Sequence, residues 1–167
     1  MDPQYIKPFI ASIQNVFSTM MQLSVTIGEP TLKAEGGTSY DVSGIIGMSG
    51  DVAGSVVLSF PRESAVRLVA LFTGTQVSAD SPDFFDAIGE LVNMVSGNAK
   101  ALFPGGRKVS ISTPSVVVGP GHKVANRSDV PCIDIPCQTD CGQFVIEVAI
   151  QERAVAAPKP ASSTIAR

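Results

Sequence analysis

Asp86, Glu90, Asn93, Gly97 and Lys100 recur every three or four residues in the stretch DAIGELVNMVSGNAK. On a helix, residues at that spacing fall along one side. Glu90 and Asn93, three apart, share one patch of solvent and can grip one object together. An asparagine amide offers an acceptor and two donors without titrating, so it can hold a water while donating to a phosphoryl oxygen. A neighbouring carboxylate can pair with a lysine on a partner. Phosphoryl transfer gains mainly from placing the attacking water, a role that side-chain amides fill in some nucleotide hydrolases. A glycine inside a helix costs about 1 kcal/mol relative to alanine, so Gly97 marks a place where another surface approaches. Asn98 points to the flank and is a secondary candidate. The plainer alternative, that these are the solvated residues any amphipathic helix displays, stands on the spacing alone.

The rod that carries these residues has clear limits. Ser81 can cap it, Pro82 and Asp83 suit its first turn, and FPGG at 103–106 stops it. Its buried stripe is expected to be Phe84, Ile88, Leu91, Val92, Val95, Ala99 and Leu102. An earlier amphipathic helix is predicted over 3–21, followed by a strand over 23–32 that Gly28 and Pro30 interrupt. Residues 40–61 read as a hairpin turning at Ser49, Gly50 and Asp51. A helix after Pro61 turns Val66, Val69, Ala70 and Phe72 inward and ends at Gly74. Residues 107–119 read as strand, bulge and strand, and VPCIDIPCQ and CGQFVIEVAIQE as two further strands. The order helix, VTIGEPTL, hairpin is echoed by helix, VSISTPSVV, strand pair, with Pro30 and Pro114 in matching places. The expected fold is α+β: helices packed on a mostly antiparallel β-sheet, built from two pseudo-repeated helix-plus-strands units. One domain is expected over 1–153 and a disordered tail over 154–167, where Ala, Pro and Ser mix without periodicity.

The 167 residues are 44% hydrophobic and 16% charged, so part of the surface is expected to meet another chain. The net charge of −3 and the lack of a Lys/Arg cluster leave no electrostatic footprint for nucleic acid or an anionic membrane. No apolar stretch approaches the ~18–20 residues of a membrane span, and a cytoplasmic protein is expected. Cys132, Cys137 and Cys141 have no C-x-x-C spacing, and unpaired thiols suit a reducing compartment, so no metal site is expected. His122 is the single histidine and has no nucleophile-elbow pattern near it. Neither FPGGRK nor GPGH has the order of a phosphate loop.

With those residues in view, the chain resembles the CheX branch of the CheC/CheX/FliY family of chemotaxis phosphatases over about residues 3–152. That family's signature, an acidic residue or Ser, three residues, Glu, two residues, Asn and a later Pro, is matched by Asp86, Glu90, Asn93 and Pro114. ELVNMVSGNAKALF resembles the signature helix, and GIIGMSGDVAGSVVLSFPRESAVRLVALFTG is similar to the hairpin and the helix after it. The resemblance implies a phosphatase that dephosphorylates the phospho-aspartate of a CheY-like response-regulator receiver in chemotaxis or related two-component signalling. It implies that Asn93 orients water for in-line attack and that Glu90 bonds a receiver lysine. Asp86, Gly97, Lys100 and Asn98 would then contact the partner. The protein has no cofactor of its own on this reading, the Mg²⁺ belonging to the receiver. Family members with two active surfaces carry a second acid-amide pair on the first helix, whereas here Ser12 stands before Asn15, which implies one site per chain. Homodimers formed through the sheets are also implied. The competing readings are a non-catalytic module that docks on a receiver or the flagellar switch, and a structural dimer.

Overall fold

The computed structural model describes residues 2–34, 37, 39–125 and 129–153. The stretch 154–167, expected to be disordered, lies outside the described residues. Asp2 accepts from the Gln4 amide at 3.0 Å and caps a 3₁₀ turn, Pro3–Tyr5, that leads into helix α1, Ile6–Met21. Gln22 closes α1 in the left-handed region at φ 48°. Helix α2 is Arg62–Thr73, closed by Gly74 at φ 76°. Helix α3, Pro82–Ala101, begins as its sequence demands: Ser81 Oγ accepts from the Phe84 amide at 3.3 Å, and Pro82 holds the first position.

The strands are β1 (Thr26–Ile27), β2 (Thr31–Leu32), β3 (Val42–Gly50), β4 (Val52–Phe60), β5 (Val109–Ile111), β6 (Ser115–Val118), β7 (Ile133–Thr139) and β8 (Gly142–Glu152). All eight join one antiparallel sheet in the order β1-β7-β8-β4-β3-β5, with β2 also beside β7 and β6 also beside β3. The two expected units are therefore interleaved. The short strands that follow α1 pair with β7 of the second half, and those that follow α3 pair with β3 of the first. The long β4–β8 ladder, Val52 opposite Glu152 to Ser59 opposite Val145, joins the halves at the centre. The single strand predicted over 23–32 is two short ones, and Gly28 between them passes so close to β7 that a Cβ would lie 2.8 Å from Pro136 Cγ.

All three helices cover one face. Alternate strand residues Val42, Ile46, Val56, Leu58, Phe60, Ile135, Phe144, Ile146 and Val148 meet them in a single core. Phe144 stacks on Phe17 and Phe60, with centroids 5.1 and 5.2 Å apart, and Ser12 Oγ donates to Val95 O at 2.6 Å to tie α1 to α3. Two expectations about helix faces are corrected. Leu102, predicted to be buried, is 55% exposed, because it caps α3 at φ −96°, ψ 0° and leaves the helical period. Phe103 turns in instead, its ring 5.2 Å from Tyr5 and 5.8 Å from Phe9. In α2 the fully buried residues are Ala65, Leu68 and Val69, while Val66, Ala70 and Phe72 are half-buried. Ala65, Leu68, Val69 and Phe72 keep the i, i+3, i+4, i+7 spacing of a helix, a stripe centred about one residue before the expected one, where α2 meets α1, α3 and the sheet.

The opposite face is crossed by polar straps. Lys33 Nζ pairs with Glu147, which is 2% exposed, and Ser39 Oγ lies 3.1 Å from both carboxylate oxygens. His122 Nδ1 donates to Gly119 O at 2.7 Å, while its Nε2 lies 2.7 Å from Ser43 Oγ. Ser43 is fully buried and 3.1 Å from Ser59 Oγ, so this serine-histidine contact fastens a loop and offers no accessible nucleophile. Asp134 stands directly opposite Glu147 in the β7–β8 ladder, and its Oδ1 is buried without a hydrogen-bond partner among the described residues. Like charges facing across strands destabilise a sheet. Burial first, then the Glu147 charge, push the Asp134 carboxyl above its ordinary 3.8, and Lys33 opposes them. A raised acid binds its proton more tightly in the folded chain, so its stabilising contribution is complete below 3.8 and is lost as pH rises through the folded value. Asp134→Asn should therefore match the wild type in urea denaturation at pH 3.5 and exceed it increasingly towards pH 7. A stability difference that stays constant over this range would contradict the assignment.

Candidate active site

Along α3, Asp86, Glu90 and Asn98 are exposed, and Asn93, Gly97 and Lys100 are half-buried. Helical spacing sets Glu90 and Asn93 side by side, one turn past Asp86. Among the described residues the side chains of Asp86, Glu90, Asn93 and Asn98 have no hydrogen-bond or ion-pair partner, which leaves them available to another molecule. Lys100 differs: its Nζ donates to Val109 O at 3.2 Å, which draws it back onto β5. Nothing lies within 4 Å of a Cβ built at Gly97, so the fold itself does not require glycine there, and the approach beside Asn93 is clear.

Gly89 is the glycine of this helix that packs most closely on the sheet. A Cβ there would come 3.3 Å from Pro114 Cγ and 3.7 Å from Val116 Cγ2, so α3 lies directly on the link between β5 and β6. That contact brings Pro114 level with Glu90, two signature positions far apart in the chain. Between them runs a groove of about 480 Å³ lined by Phe85, Asp86, Gly89, Glu90, Pro114 and Val116. Phe85, Gly89 and Val116 escaped the sequence reading. The one available signal was a second glycine within the helix, and Phe85 simply lay off the apolar stripe.

The pairing of halves also corrects the first-helix comparison. The buried series Tyr5, Phe9, Ile13, Phe17 of the first half answers to Phe84, Ile88, Val92, Ser96 of α3. On that register Ala11 and Gln14, not Ser12 and Asn15, stand opposite Glu90 and Asn93. Ser12 is buried, so it never belonged to the outer face. No carboxylate accompanies Gln14, and the acid-amide pair occurs on α3 alone of these two helices.

Other chemistry finds little support. Cys137 is buried and its thiol is pushed up to about 12 by burial, which leaves it protonated and unreactive. Burial raises Cys141 as well, ahead of the opposing charge of Arg67. Among the described residues no group of three or more His, Cys, Asp or Glu could hold a metal ion. A cavity of about 490 Å³ bounded by Tyr40, Asp134, Pro136 and Glu147 opens on the face away from the helices and holds none of the motif residues. No described helix is long and apolar enough to cross a membrane.

Three helices on one antiparallel sheet of two interleaved halves make the fold of a CheC-like protein. A solved CheC-like superfamily protein from Shewanella sp. PV-4 is 33% identical with a TM-score of 0.81, over 90% of this chain and 99% of that one. The family model for chemotaxis phosphatase CheX matches residues 42–138, a span that contains Glu90, Asn93 and Pro114, and the chain belongs to that family. The CheY-P phosphatase CheX of Thermotoga maritima is 29% identical over 126 residues, 74% of this chain and 81% of that protein. The CheX-CheY-BeF3-Mg²⁺ complex from Borrelia burgdorferi shares the fold at 24% identity and a TM-score of 0.73, over 89% of this chain and 98% of that one.

Proposed function

We propose that the protein hydrolyses the phospho-aspartate of a CheY-like response-regulator receiver and that α3 is the face that enters the receiver's active site. The reading is carried by one observation: in a CheX-family chain, Glu90 and Asn93 sit three apart on the outer side of α3 with no side-chain partner among the described residues. Asn93 holds water in line with the phosphorus. The water oxygen bonds to phosphorus, the bond to the aspartate oxygen breaks, and inorganic phosphate leaves. Glu90 pairs with a lysine of the receiver and fixes the docking angle. The donor set of this site, one carboxylate and one amide, suits a protein that brings no metal. The Mg²⁺ is the receiver's own, a reading in keeping with the CheX-CheY complex that holds BeF3 and Mg²⁺. Asp86, Gly97 and Asn98 border the contact, and Lys100 supports its far end from β5.

The deciding experiment follows phosphate loss from candidate phosphorylated receivers with the wild type and with Asn93→Ala. Faster loss with the wild type alone supports catalysis. Receiver binding with unchanged loss would make the domain a docking module instead. The reading extends to a cytoplasmic homodimer that meets through its sheets, supported by Leu32, 68% exposed on β2, and Val117, 38% exposed on β6. Sedimentation at micromolar concentration should give twice the chain mass, and a single-chain mass would remove the dimer.

A further inference from the structure

The groove beside Glu90 has a chemistry of its own. Phe85, Pro114 and Val116 form its apolar walls, and Asp86 and Glu90 stand at its lip. Phe85 is half-buried but lies outside the core cluster, with its ring 6.2 Å from Phe84, so the fold leaves this aromatic facing the groove. Asp86 and Glu90 are like charges four apart, a spacing that destabilises a bare helix. Neither has a partner among the described residues to offset the repulsion. An uncharged apolar occupant would strip water from both carboxylates without replacing it, and an anion would be repelled. A long basic side chain meets both demands, since its aliphatic stem lies on Pro114 and Val116 and its charged head reaches the lip. Phe85 adds an aromatic wall against which a cationic head can settle.

We infer that this groove receives a second basic side chain of the receiver, distinct from the lysine that Glu90 holds, with Asp86 as its counter-ion, and that this contact selects among receivers. The inference rests on the proposed function, because it is the docked receiver that carries the side chain into the groove. Asp86 and Phe85 act here as specificity residues and touch no reacting atom.

The test measures kcat and KM with a receiver that the wild type dephosphorylates, kept phosphorylated by a small-molecule phosphodonor. Asp86→Asn and Phe85→Ser should each raise KM about 5-fold, with kcat changed less than about 2-fold, as befits an exposed ion pair and a part-buried ring. Glu63→Gln, an exposed acid on the first turn of α2 and outside the groove's lining, should leave both constants unchanged. Receiver variants with single Lys or Arg to Glu exchanges around the active site complete the experiment. One of them should bind the wild type poorly and recover with Asp86→Lys. Unchanged KM in Asp86→Asn, an equal rise in Glu63→Gln, or no receiver variant that recovers would overturn the inference while the phosphatase reading stands. A wild type that accelerates no receiver overturns both.

Discussion

Asn93→Ala should lower the receiver dephosphorylation rate by about 10²–10³-fold, the usual effect of removing one preorganised hydrogen-bonding group from a reacting centre. The loss should fall on kcat, because the amide's work is to hold the attacking water, whereas Glu90→Ala should act chiefly on KM by removing the pair with the receiver lysine. The fold should not notice the change. Asn93 is half-buried but has no side-chain partner among the described residues, and its neighbours Leu91, Val92 and Val95 supply the buried contacts of that turn. Thermal midpoints of wild type and variant should therefore coincide. Asn93→Gln keeps the amide but sets it one methylene too far out, and should recover only part of the rate. Full activity in Asn93→Ala would remove this residue from the chemistry.

The largest effect on stability should come from Lys33→Met. Glu147 is 2% exposed and has Asp134 directly opposite, so without the lysine a carboxylate is left buried beside another carboxylate. Breaking a buried pair from one side costs about 3 kcal/mol, which for a domain of this size moves the urea midpoint by roughly 1.5 M. Replacing both partners is a different matter. Lys33→Met with Glu147→Leu removes the unpaired charge together with its repulsion on Asp134, and should recover most of the loss. A double variant as unstable as the single one would show that the cost lies in Lys33's packing and not in the abandoned charge.

The elements that define the site were readable because their signals are local. Ser81, Pro82 and the apolar stripe from Phe84 to Ala99 fix where α3 starts and which way it faces, and the outer residues follow by exclusion. Leu102 departs from the expected stripe because a capping residue leaves the helical period, something that spacing cannot register. On the first helix, similarity of letters points one residue away from the true match to α3, because burial and not letter identity decides the face. The Lys33–Glu147 pair joins residues 114 apart on adjoining parts of the sheet, and nothing in either neighbourhood announces it. The groove is equally tertiary, since Pro114 reaches Glu90 only through the contact with Gly89. Two-residue strands such as Thr26–Ile27 are too short to show a period, so the exchange of edges between the halves had no sequence signal.

That exchange has a consequence for biogenesis. When a nascent chain has emerged from the ribosome as far as α2, β3 and β4 can close as a hairpin. The free side of β3 must still wait for residues 109–118, and that of β4 for residues 142–152. The hairpin thus keeps two bare ladder edges until residues 109–118 emerge and one until residues 142–152 emerge, and the last of the described strands to be made completes the middle of the sheet. Assembly should be slow, dominated by distant pairings, and prone to reciprocal trading of halves between neighbouring chains on a polysome.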